Sequence, residues 1–167
     1  MVPSPALEGV PVSRRGQIQM TDEERKRFLE SAKTMIICSI GKDGVPHPMP
    51  MWFGVEPDGA IVMTTFTKSQ KIKNLERDPR VSLLVESGLE YAELKGVVFY
   101  GAAELIRDTD RVRDILVTVT KRNGGIPLGA EEAARAGMAA TAAKRTGIRV
   151  HPQRIVSWDH QKLAGRY

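Results

Sequence analysis

The spacing of apolar positions changes several times along the chain, and each change marks an element. Phe28, Leu29, Ala32 and Met35 recur at helical spacing behind a T-x-x-E capping box at Thr21 and Glu24, which predicts a helix of about four turns. Residues 35–40 then form a short apolar run, Gly41-Lys42-Asp43-Gly44 reads as a turn, and residues 45–55 alternate, so the three together predict a β-hairpin. Glu56-Pro57-Asp58-Gly59 is a second turn before a strand over 60–66. A short helix from Ser69 must end before Pro79, because proline disfavours helical geometry in the residue before it. Strands follow over 81–86 and about 94–106.

The remainder reads as mostly helical. Val112, Ile115, Leu116 and Val119 mark a helix opened by Asp108 or Thr109 and stopped by Asn123-Gly124-Gly125. An alanine-rich helix is expected over about 130–145, and two short strands over 148–151 and 154–158. Hairpin-length connections between the early strands make the sheet mainly antiparallel. The expected fold class is therefore α+β, a small barrel with flanking helices. Pro3, Pro5 and Pro11 give residues 1–20 the composition of a flexible arm, leaving residues 21–167 as a single domain.

A length of 167 residues with 41% hydrophobic and 27% charged residues suits one globular core and excludes a disordered or fibrous chain. The single cysteine, Cys38, excludes an internal disulfide, sits among apolar residues, and fits a cytoplasmic protein. No uncharged stretch approaches the ~18 residues of a membrane span. Ser13-Arg14-Arg15 leads into a charged run instead of an apolar one, which argues against export. The net charge of +5 is unevenly placed: residues 1–137 hold 19 of the 25 bases and 19 of the 20 acids, so the whole surplus lies in the last thirty residues.

Standard chemical signatures are missing: there is no G-x-G-x-x-G, no H-E-x-x-H and no paired-cysteine metal site. Two other features carry information. Prolines at alternate positions in Pro46-His47-Pro48-Met49-Pro50-Met51-Trp52 give one strand edge that accepts hydrogen bonds and cannot donate them, either a protected edge or a wall for a ligand. The helices opening at Thr21, Asp108 and Ala130 place acids in their first turn, as the helix dipole favours, whereas Lys68-Ser69-Gln70-Lys71-Ile72-Lys73 opens a helix with bases. That reversal costs about 0.3–1 kcal/mol per charge unless an anion binds. A phosphate there would meet free N–H groups, the Ser69 hydroxyl and the Lys71 ammonium, with Thr64 and Thr65 delivered alongside by the preceding strand. The alternative is a solvated basic face.

The order of these features, ending in Ser69-x-Lys71-x-x-Asn74-Leu75-x-x-Asp78-Pro79-Arg80-Val81, resembles the flavin-type split β-barrel oxidoreductases, the superfamily of pyridoxamine 5′-phosphate oxidase. The last run is most similar to the branch that uses the deazaflavin coenzyme F420. The resemblance spans residues 22 to 106, with a weaker echo over 154–159. It implies a homodimer with two cofactor sites at the interface, backbone groups of Pro50, Met51 and Trp52 lining the ring, and Lys71 on the ribityl phosphate. Ser69 replaces a basic residue common in the family, and Lys68 is placed to compensate. The implied cofactor set also includes Gln70, Asn74 and Trp158. His47, Tyr91 and Tyr100 join Trp158 as pocket candidates.

The implied reaction is hydride transfer between coenzyme F420 and a small conjugated substrate, with the cofactor supplying the reactive carbon. The alternatives are an FMN enzyme close to pyridoxamine phosphate oxidase, or a non-enzymatic carrier of flavin, deazaflavin or haem. Nucleic acid is not an expected partner, since the basic C-terminal segment offers only Trp158 and Tyr167 for stacking. If that segment reaches the cofactor, its bases would meet the glutamyl tail that F420 has and FMN lacks.

Overall fold

The protein was analysed as a computed structural model describing residues 14–163. Strands β1 (Thr34–Ile40) and β2 (Pro46–Trp52) form an antiparallel hairpin, with Gly44 at φ 81° in the turn between them. Pro46, Pro48 and Pro50 stand opposite Ile40, Cys38 and Ile36. Lacking N–H groups, they occupy the pairs that exchange no hydrogen bonds, and their carbonyls face away from β1. The predicted hairpin and its acceptor-only edge are therefore present.

Five further strands, β3 (Gly54–Val55), β4 (Ile61–Phe66), β5 (Arg80–Ser87), β6 (Lys95–Ile106) and β7 (Arg145–Asp159), complete one antiparallel sheet in the order β2-β1-β5-β6-β7-β4-β3. β2 and β3 sit at opposite ends of that order, yet only Phe53 separates them in the chain. The sheet has to curl until its two edges meet at this segment, and the result is a split barrel. Alternate residues point inward: Met35 and Ile37 of β1, Leu83 and Val85 of β5, Val97 and Phe99 of β6, and Ile148 and Val150 of β7. Phe53 is fully buried at the crossing point.

Helix α1 (Arg14–Ile18) precedes α2 (Asp22–Ser31), α3 (Gln70–Arg77) follows β4, and α4 (Thr109–Arg122), α5 (Glu131–Gly137) and α6 (Ala139–Ala142) follow β6. α4 covers the outer face of β4, packing Ile115 and Val119 on Val62. Among the described residues no helix is long and apolar enough to cross a membrane.

Several expectations need correction. Met35, assigned to the first helix, belongs to β1 opposite Met51, because the helix stops at Ser31 and pairing with β2 takes over. Of residues 1–20, read as an arm, Arg14–Ile18 is helical and Met20 is buried, its N–H donating to Ser157 Oγ at 3.1 Å. Residues 1–13 lie outside the described residues. The alanine-rich helix breaks after Gly137 into two short pieces and yields to β7 at Arg145. The two expected C-terminal strands are one. Its register shifts where Tyr100 pairs with Arg154 and Gly101 with Pro152, so Gln153 is the extra residue of a bulge.

Candidate functional site

The site forms where β4 runs into α3. β4 turns Ile61, Met63 and Thr65 into the barrel and Val62 and Thr64 outward, so the two threonines lie on opposite faces and only Thr65 joins the site. α3 is strongly amphipathic, and Ile72, Leu75, Asn74 and Lys71 make up its buried side. Lys71 is 7% exposed, and its Nζ donates to Thr65 Oγ1 at 3.3 Å; Thr65 Oγ1 in turn lies 3.4 Å from Ser69 Oγ. Burial pushes the Lys71 ammonium below its ordinary pKa. Ser69 is the N-cap, but its hydroxyl does not bond the first turn, which also holds no acid. The first N–H groups of a helix have no partner within it. Backbone donors, two hydroxyls and a buried cation thus converge.

More bases gather on either side. β4 pairs with β7, so Phe66 lies opposite Arg145, whose guanidinium stacks 4.6 Å over the Phe66 ring with Nε buried and unbonded. Thr67 and Thr146 share a hydroxyl contact at 3.0 Å, and the Thr67 N–H donates to the Lys144 carbonyl. Lys68 is exposed beside them. Among the described residues, Lys42, Lys68, Lys71, Lys73, Arg77, Lys144 and Arg145 form no ion pair, whereas Arg149 meets Glu56 and Asp58, Lys162 meets Glu24, and Lys95 meets Asp159. Two of the C-terminal bases, Arg149 and Lys162, are therefore paired with acids from earlier in the chain, while Lys144 and Arg145 stay unpaired beside α3. In the sequence Lys144 and Arg145 count only towards the C-terminal surplus; the β4–β7 pairing, nearly eighty residues apart, is what brings them and Thr146 to α3.

Other candidates are placed differently. Asn74 is fully buried, donates to Ser39 Oγ at 3.1 Å and accepts from Gln70 Nε2 at 2.9 Å. Asn74 thus fastens α3 to β1, and Gln70 holds the Asn74 amide from one turn earlier in the same helix. Pro50 and Trp52 are exposed on β2, while Met51 packs partly on the core. His47 lies beside Gln70 in one cavity, and its Nδ1 is buried without a partner. Tyr100 stacks under Arg154, whose guanidinium is 3.9 Å from the ring, and Tyr91 contacts His160 at 4.6 Å. Trp158 lies over Gly96, thirteen residues along β7 from Arg145, roughly 40 Å at about 3.3 Å per residue. One chain does not bring Trp158 to Lys71.

A phosphate ester matches the donors at α3 in number and charge. Charge-assisted bonds from a buried ammonium and from helix N–H groups are the strong kind.

Comparison with known proteins bears on the family and the fold. The sequence profile of the pyridoxamine 5′-phosphate oxidase family matches residues 21–159. A conserved hypothetical protein from Mycobacterium tuberculosis is 38% identical with a TM-score of 0.79, covering 90% of this chain and 92% of that one. A protein described as an F420 reductase is 23% identical with a TM-score of 0.58, covering 78% and 94% of the two chains. A FAD-binding protein from Mesorhizobium loti is 20% identical with a TM-score of 0.59, covering 83% and 94%. A search of curated protein sequences gave no match. With the profile spanning the barrel from the start of α2 to the end of β7, and the curled antiparallel sheet beneath it, the chain belongs to the pyridoxamine 5′-phosphate oxidase family.

Proposed function

We propose that the protein is an oxidoreductase that binds coenzyme F420 through its phosphate at α3 and transfers hydride between it and a small conjugated organic substrate. The observation that carries this reading is Lys71: a buried ammonium whose one hydrogen-bond partner among the described residues is a hydroxyl. An unpaired buried cation is costly in the folded protein, and a bound phosphate removes the cost. Lys71 Nζ, Thr65 Oγ1, Ser69 Oγ and the first α3 N–H groups would hold the phosphate, with Lys68 and Arg145 supplying outer positive charge. The proline edge of β2 accepts hydrogen bonds and suits a ring that presents N–H donors. The cofactor supplies the hydride chemistry; the chain binds it, orients it and excludes water.

A homodimer completes this reading. The outward face of β6 and β7 leaves Tyr100 and Val156 exposed along a groove of about 640 Å³ that also includes Trp158. Only a second copy bound through that face would carry Trp158 to a cofactor on α3 of its neighbour. The preference for F420 over FMN rests on the similarity of the Asn74-Leu75 to Arg80-Val81 run to the F420-using branch. Titrating the apoprotein with each coenzyme in parallel tests it: F420 should bind, and Lys71→Ala should weaken it by roughly 10-fold or more for a lost charge-assisted bond. Unchanged affinity in Lys71→Ala sinks the site. Tighter binding of FMN replaces the cofactor, and binding without turnover of any reductant leaves a carrier.

A further inference from the structure

Bases without acid partners lie on two flanks of α3. Lys71 faces Thr65 on one side. Lys73 and Arg77, one turn apart and both exposed, share the other flank, towards the β1–β2 turn. With Lys42 of that turn they line a cavity of about 500 Å³, which His47 also lines. Its one acid, Asp43, already accepts the Val45 N–H at 3.2 Å. Arg77 Nη2 donates to the Ile40 carbonyl at 2.6 Å, which fixes the guanidinium at the rim, and His47 Nδ1 is buried without a partner. Three cations therefore line one space with a single carboxylate.

We infer that this cavity is a second anion subsite, taking a carboxylate or phosphate carried by the same ligand whose phosphate rests on Lys71. The inference builds on the function proposed above. The two flanks are separated by the width of a helix, about 10 Å with side chains, so one ligand with two anionic groups spans them. FMN has one such group. F420 carries glutamyl carboxylates beyond its phosphate and fills both. Of the C-terminal bases, Arg149 and Lys162 are already paired, and Lys144 and Arg145 lie by Phe66 and Thr67, on the Lys71 side.

The test is the double variant Lys42→Gln, Lys73→Gln, whose two sites are exposed, measured beside wild type and Lys71→Ala with F420, FMN and citrate at low and high salt. F420 affinity should fall roughly 10-fold at low salt, and the difference should shrink at high salt, as for exposed charge pairs. FMN affinity should not change. Equal F420 affinity in the double variant and wild type overturns the subsite while leaving the Lys71 reading intact. Citrate that binds wild type better than the double variant, without displacing F420, makes the cavity an independent anion site and overturns the shared-ligand claim. Wild type that binds neither coenzyme overturns the cofactor reading, and the subsite with it.

Discussion

Asn74 Nδ2 donates to Ser39 Oγ at 3.1 Å, and both residues are almost completely buried. This bond joins the middle of α3 to the inner face of β1, so the helix that carries Lys71 cannot pivot without breaking it. Ser39→Ala strands the Asn74 amide, and leaving such a group unsatisfied costs about 1–3 kcal/mol. Chemical denaturation should report that loss. Coenzyme affinity should fall as well, because the first turn of α3 loses its support; a variant destabilised with unchanged affinity separates the two roles.

Lys71 makes the apoprotein sensitive to alkaline pH in a defined direction. Burial lowers its pKa in the folded state, so the folded chain releases the proton before the unfolded chain does. Below the folded pKa both states are charged and the desolvation penalty is complete; as pH rises towards the ordinary lysine value the unfolded chain holds more protons and stability increases. Lys71→Met, which removes the buried charge and keeps the volume, should therefore stabilise the apoprotein at neutral pH. The difference between variant and wild type should narrow at high pH. Unfolding curves from pH 7 to 11 without coenzyme measure this, and a constant difference would refute the assignment.

Local features were legible in the sequence and long-range ones were not. The alternating prolines marked β2 as an edge because a missing N–H is a property of the residue itself, and the base-first turn of α3 stood out against the acid-first turns of α2, α4 and α5. Asn74 looked like a cofactor ligand because its partner Ser39 is 35 residues away. The C-terminal charge surplus looked available because no local pattern shows that Arg149 meets Glu56, 93 residues earlier. Met35 fitted helical spacing as well as strand alternation, and only its pairing with Met51 decides between them.

The start of α2 should respond to acid. Glu24 closes the capping box with Thr21 and also bonds Lys162 at 2.6 Å, and these contacts, Lys162 first, hold its carboxyl down to about 2. A depressed carboxylate contributes stability that is present above its unfolded value of 4.5 and fades as pH falls towards 2. Glu24→Gln should remove part of the acid sensitivity in that window and leave the curve above pH 5 parallel to wild type. An unaltered pH profile would show that the contact contributes nothing.

Gly96 and Trp158 face each other across β6 and β7, and a Cβ on Gly96 would lie 2.2 Å from the Trp158 ring. The missing side chain is what lets the indole lie flat on the strand. Gly96→Ala must tilt the ring outward or spread the pair, a rearrangement expected to cost about 1–3 kcal/mol. Trp158 emission should shift, read in a Trp52→Phe background because Trp52 is itself exposed. If the β6–β7 face is where two copies meet, the tilted indole also enlarges the dissociation constant of the dimer in sedimentation, and adding coenzyme restores less emission quenching per chain. If wild type is monomeric and Gly96→Ala still shifts the emission, the effect is confined to packing within one chain and Trp158 is removed from the cofactor site.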